Sequence, residues 1–142
     1  MFTNEDEAFT AAEETYRGYI AAFNAVDLSK PETFEPVFAF TTASYSANER
    51  KQLSEMHAEG YIRGGDIAIV LFDPLTATDE TVTARACTDA SRTTFTDADG
   101  VSLVPPDRPD RVLVELTFTL NADAVLLDTA EVVTDESCAS SE

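Results

Sequence analysis

The chain has 142 residues, 44% of them hydrophobic, with nine Phe and four Tyr. That is the size and composition of one globular domain able to bury its own core, and it excludes a disordered segment. Acidic side chains outnumber basic ones 27 to 9, for a net charge of −18, a field that repels phosphates and anionic membranes and so disfavours nucleic acid as a partner.

The acids are spread along the chain rather than laid in a stripe. A solubilising acidic surface is therefore favoured, and an acidic DNA mimic stands as the remote alternative. No run reaches the roughly 18 apolar residues of a membrane span, so no transmembrane segment is expected. The opening "MFTNEDEAFT" has neither a basic n-region nor an apolar h-region and reads as no signal peptide. An acidic helix start of this kind also suits a chain that begins after a removed export segment.

In chain order, Asn4 is expected to cap a helix whose first turn holds Glu5, Asp6 and Glu7, where the helix dipole favours anions. Phe9, Ala12, Tyr16, Ile20, Phe23 and Val26 recur at steps of three and four, one apolar stripe on a long amphipathic helix. Ser29 and Pro31 head a short second helix carrying Phe34 and Phe38 inward. "SANE", Ser46 with Glu49 three residues on, reads as a capping box opening a third helix. Its inner side would carry Leu53, Met56, His57 and Tyr61, and Gly60 or the pair Gly64 and Gly65 would end it.

From Asp66 the period becomes alternating. "DIAIVLFDPL" reads as a strand stopped by Asp73 and Pro74, and "TVTARACTDA" as the next. "RTTFT" and "VSLV" flank "DADG", a tight hairpin turn with Gly100 at the positive-φ position. "PPDRPD" is a stiff loop. "RVLVELTFTL" places Val112, Val114, Leu116, Phe118 and Leu120 on one face, and "VLLDTAEVV" closes the sheet. The expectation is one α+β domain: N-terminal helices packed on a strongly curved antiparallel sheet of four to six strands. Helices span about 4–62, the sheet about 66–134, and an acidic tail 135–142.

The chain has two cysteines. Cys87 shares a strand face with Thr83, Arg85 and Asp89, and Cys138 follows the last strand. Without a C-x-x-C, neither a redox motif nor a zinc cluster is supported. A catalytic thiol would need a base, and the one His lies on a distant helix. A Cys87–Cys138 disulfide is expected, and with it an oxidising, extracytoplasmic setting.

Taken together, "AAEETYRGYIAAFNAVDLS", "EGYIRGGDIAIV", "TVTARACTDASRTTFTDADG" and the terminal "EVVTDESC" resemble actinobacterial extracytoplasmic proteins, secreted or lipid-anchored, with a nuclear transport factor 2-like, cystatin-like α+β cone fold. In that family an "aCxDxS" strand and a Cys near the C-terminus recur, and no function is assigned. The chain departs from it in having no Trp in the last hairpin, where Val125 and Leu126 stand. The resemblance implies a cone whose interior is a pocket, the place where enzymes of the fold such as isomerases, cyclases and dehydratases keep an Asp/His or Asp/Tyr set.

Candidate pocket residues are Tyr16, Phe23, Phe38, His57 and Tyr61, with Tyr45, Asp66 and Asp89 as further polar side chains. A lone inward His is as a rule a hydrogen-bonded core residue. Tyr16, Tyr19 and Phe23 at helical spacing read as core, and no motif pairs any of these groups, so no catalytic residue is named. An EF-hand-type calcium loop aligned on Gly100 would put its first ligand on Phe95 and its last on Pro106, which rejects it. No metal site and no cofactor are expected. The reading favoured is a non-catalytic extracytoplasmic domain binding a small apolar ligand or a protein partner, with a homodimer through the sheet face open. The alternative is a small isomerase- or dehydratase-type enzyme using His57 and a cavity carboxylate.

Overall fold

A computed structural model of the chain describes residues 4–121, 124–133 and 138. Helix α1 spans Glu5–Asn24. Its start follows the expected capping, with Glu7 N–H donating to the Asn4 side chain at 2.9 Å. Its buried stripe is Ala8, Ala12, Tyr16, Tyr19 and Ile20. The helix ends before Val26, which is buried in the turn that follows.

A 3-10 helix, Pro31–Phe40, comes next, with Pro31 in its first turn and Pro36 inside. Pro36 has no N–H to give, and its ring crowds the α-helical path. The tighter spiral repeats every three residues rather than 3.6. Phe34 and Val37 therefore face the core while Phe38, expected inside, is half-exposed beneath the Arg50 guanidinium. Phe40 continues the three-residue step and lies so close to α1 that a Cβ on Gly18 would fall 2.5 Å from its ring.

Helix α2, Ala43–Glu59, starts four residues earlier than the capping-box reading placed it. Thr42 is the cap, accepting from Tyr45 N–H and donating its hydroxyl to Asp128 at 2.8 Å. Its own N–H bonds the Leu127 carbonyl at 3.0 Å, so the sheet fixes where the helix begins. Ser46 lies one turn in, its hydroxyl on that of Thr41. Gly60 ends the helix at φ 78°, as expected of an αL cap.

Among the described residues the strands form two sheets, β1 (Ile62–Gly64) with β4 (Thr94–Thr96), and β2 (Ala68–Ala77), β3 (Thr81–Asp89), β5 (Arg111–Asn121) and β6 (Ala124–Val132) in the order β2-β3-β5-β6. Every strand pair is antiparallel. Register breaks in β2 between Ile69 and Leu71 and between Pro74 and Thr76, and in β6 at Asp128, opposite Thr117–Phe118 of β5, bend the larger sheet. Pro74 does not stop its strand, because β2 is an edge, where a missing N–H costs no ladder bond.

The "DADG" turn exists, with Gly100 N–H on the Asp97 carbonyl and φ 87°. Its two arms meet at the Thr96–Ser102 bridge, with Asp97 N–H on the Val101 carbonyl and Leu103 N–H on the Phe95 carbonyl, and form no longer ladder. The principal partner of Thr94–Thr96 is Ile62–Gly64, a strand the alternating pattern from Asp66 onward does not include.

The inner face of the bent sheet offers Val82, Ala84, Ala86, Leu116, Phe118, Val125 and Leu127 to the α1 stripe, and together they are the core. On the outer face, Cys87 is 1% exposed and bridged to Cys138, their Cα atoms 5.8 Å apart. The strand before Cys138 does not lie beside that of Cys87: β6 pairs with β5, and β5 with β3. Val133 N–H bonds the Leu113 carbonyl, and Leu113 is the partner of Cys87, so the chain leaves β6 level with Cys87 and two strand spacings away. Five residues reach across such a gap with ease.

Candidate binding pocket

A cavity of about 400 Å³ opens between the end of α1, one side of α2, the small β1–β4 sheet and the loop at Leu103–Arg108. Helix α2 contributes Glu49, Gln52, Leu53 and Met56, positions three and four apart that share one helix face. The wall opposite consists of Phe23, Ile67, Phe95, Leu103, Val104 and Pro105, so the lining is mostly apolar.

The frame around it is held by backbone-directed side chains. Asn24, the last residue of α1, receives Ile67 N–H on its Oδ1 at 2.9 Å and donates from Nδ2 to the Ile67 carbonyl at 3.0 Å. Arg63 donates to the carbonyls of Asn24 and Val26 just past the helix end, where the dipole favours a cation, and stacks 5.0 Å over Phe23. Burial lowers the Arg63 pKa, and nearby Asp66 partly offsets this. Arg108 donates to the Ala90 carbonyl at 2.9 Å and to Thr93 Oγ1 at 3.3 Å. Gly65, at φ 76°, lets the chain turn against Arg92, whose carbonyl a Cβ there would strike.

One polar network stands at the α2 side. The Tyr19 hydroxyl reaches both oxygens of Glu49, at 3.0 and 2.9 Å, and lies 3.1 Å from the Tyr45 hydroxyl. With the Tyr19 proton directed at the carboxylate, Tyr45 is the donor to Tyr19. Burial raises the Glu49 pKa above the usual carboxylate value, against the opposing pull of the Tyr19 hydrogen bond. Burial, with the Tyr45 hydroxyl and the Glu49 carboxylate beside it, also pushes Tyr19 above the ordinary tyrosine range. A carboxyl whose pKa burial raises, at the side of an apolar cavity, is a hydrogen-bonding group that a ligand can meet.

Of the five side chains expected to line a pocket, Phe23 does so. Tyr16 lies beneath, stacked on Tyr19 at 6.1 Å and tilted on Phe72 at 6.3 Å. Tyr61 stands behind the lining, edge-on to Phe95 at 5.3 Å. Phe38 packs elsewhere, under Arg50. His57 is exposed, its Nδ1 2.6 Å from the Leu28 carbonyl, where it ties α2 to the turn before the 3-10 helix. It does not meet a cavity carboxylate. Asp66 is exposed, and Asp89 sits on the outer sheet face, bonded to Ser91 N–H and Arg111. Glu49, Arg63 and Arg108 are the site residues that sequence reasoning missed. The available signal for Glu49 is its place four residues before Leu53 on the inner side of a helix.

No protein-family model and no curated protein sequence matches the chain. Solved structures do. A candidate aromatic ring hydroxylase from Novosphingobium aromaticivorans is 12% identical over 92% of each chain, with a TM-score of 0.55. The protein Aln2 from a Streptomyces species is 15% identical over 91% of each chain, TM-score 0.54. A protein from Catenulispora acidiphila is 15% identical over 93% of this chain and 92% of its own, TM-score 0.55. At these identities the likeness is one of fold, and the fold is the nuclear transport factor 2-like α+β cone.

Proposed function

We propose that this chain is a ligand-binding domain, and that its ligand is a small, mostly apolar molecule held in the cavity between α2 and the β1–β4 sheet. The observation that carries the reading is the cavity itself: about 400 Å³, walled by Phe23, Leu53, Met56, Ile67 and Phe95, within the usual size and lining of small-molecule sites. The Cys87–Cys138 bridge supports placing the domain in an oxidising, extracytoplasmic compartment.

The test is titration with N-phenylnaphthylamine, a neutral apolar dye that brightens in dry pockets. The expected result is saturable binding to the native protein, and weaker binding in Met56→Trp, whose larger side chain intrudes into the cavity of about 400 Å³. Absence of saturable binding, or equal binding by Met56→Trp, would contradict the reading.

The Glu49–Tyr19–Tyr45 network favours one second reading, a proton-transferring isomerase or dehydratase. The cavity carboxylate of such an enzyme is Glu49, in the part the sequence reading gives to a His57 pair. A half-buried carboxyl whose pKa is raised by burial suits general acid–base chemistry better than an exposed one. Glu49→Gln keeps the shape and one acceptor, so turnover of any substrate found should fall by roughly a hundredfold or more while binding persists. Turnover retained in that variant would exclude Glu49 as the base.

A further inference from the structure

The basic residues of this acidic chain are unequally partnered. Arg17 faces Glu13, Arg50 faces Glu35, Arg85 faces Glu115 and Arg111 faces Asp89. Among the described residues Lys30, Lys51, Arg63, Arg92 and Arg108 stand in no such ion pair, and of these five Arg63 and Arg108 line the cavity.

Both are held by hydrogen bonds to neutral oxygens, with the Asp66 charge near Arg63 but not in an ion pair with it. Arg63 donates to the carbonyls of Asn24, Val26 and Gly65, at 3.4, 3.3 and 3.2 Å. Arg108 donates to Ala90 and Thr93. A guanidinium has five N–H donors, so each keeps some for a ligand while its position is already set. Their anchors adjoin. Gly65 packs on Arg92 and Thr93, and Gly64 is the strand partner of Thr94, so the two arginines are tied to the same corner of the cavity wall. Glu49 lies across on α2, held by Tyr19. Its carboxyl is shifted by burial with no cation drawing it down, which fits an acidic side and a basic side kept apart.

Resting on the reading of the cavity as a ligand site, we propose that it takes an apolar organic monoanion. Its carboxylate or sulfonate meets Arg63 and Arg108, and its body lies along Phe23, Leu53, Met56 and Phe95, directed away from Glu49. Bidentate guanidinium contacts to such oxyanions are short, charge-assisted and geometrically selective. The body of the protein, at −18, repels any free anion. A preference for the anion must therefore come from local cations.

The matched probes are N-phenylnaphthylamine and anilinonaphthalene sulfonate, which share one apolar skeleton and differ in the sulfonate. In about 0.15 M salt, where distant charges are screened, the native protein should bind the sulfonate at least about tenfold more tightly than the neutral dye. One hydrogen-bonded charge pair is typically worth that much. That ratio should fall about tenfold in Arg108→Gln and separately in Arg63→Gln, each checked by its circular dichroism melt, and the native ratio alone decides if a variant does not fold. Equal affinities in the native protein, or a ratio unmoved in two folded variants, would overturn the anion proposal while leaving the cavity a ligand site. If neither dye binds, the ligand-binding reading falls with it.

Discussion

Removing the Cys87–Cys138 bridge perturbs a single covalent link on the outer sheet face and leaves the cavity side untouched. The two residues are 51 positions apart. Closing a loop of that length removes denatured-state entropy equivalent to about 4 kcal/mol at 25 °C in the chain-entropy model. For a domain of this size each kcal/mol moves the melting temperature by roughly 2–4 °C, so opening the bridge should lower it by about 10 °C or more. The double variant Cys87→Ala with Cys138→Ser is preferable to reductant alone, because Cys87 is 1% exposed and an alanine there leaves no buried polar group. Urea and thermal melts followed by circular dichroism, with and without reductant, measure the effect, and mass spectrometry of unreduced protein after proteolysis checks the pairing. A shift under about 2 °C would show that the bridge does not restrain the denatured chain. Two alkylatable thiols in protein recovered from its native setting would remove the argument for an oxidising compartment.

Asp89 has its carboxyl held down to about 2, first by the hydrogen bonds from Ser91 and then by Arg111. A depressed folded pKa adds stability above the unfolded value of 3.8 that is lost as pH falls toward 2, so Asp89→Asn should be less stable near neutrality and converge with the native protein in acid. Glu49 has the opposite sign: its raised pKa means the folded state binds the extra proton, and stability declines as pH rises from 4.5 through the shifted value. Urea melts of Glu49→Gln across that range should show the variant gaining on the native protein as pH rises, and a constant difference would refute the assignment. Gly65→Ala forces an L-residue to φ 76° with its Cβ into the Arg92 carbonyl. It should cost more than the roughly 1–2 kcal/mol of the left-handed conformation alone, and an unchanged melt would show that the turn relaxes freely.

The layout is legible because its signals are local. The Asn4 cap, the α1 stripe, the Gly60 terminator and the alternation of β5 each lie in a few adjacent residues, the bridge follows from two cysteines with no other chemistry open to them, and the resemblance of "ACTDAS" with a distal Cys carries the fold. The site is not legible, for reasons that particular residues show. The capping-box pattern absorbs Glu49, since "SANE" fits it alone and only the β6 contacts of Thr42 move the helix start. Arg63 lies on β1, three residues long, whose partner is about 30 positions away and leaves no periodic trace. Phe38 faces inward only on a 3.6-residue period, which Pro36 does not permit. Pocket residues drawn from two helices, two short strands and the loops beside them share no spacing for a motif to report.

The most direct test of the account is a crystal structure of the protein grown with anilinonaphthalene sulfonate. The account predicts the dye between Phe23, Leu53, Met56 and Phe95, its sulfonate within hydrogen-bonding distance of Arg63 and Arg108 and its rings away from Glu49. A cavity closed by its own side chains, or dye found only on the exposed apolar residues of β2, Val70, Leu71 and Leu75, would contradict it.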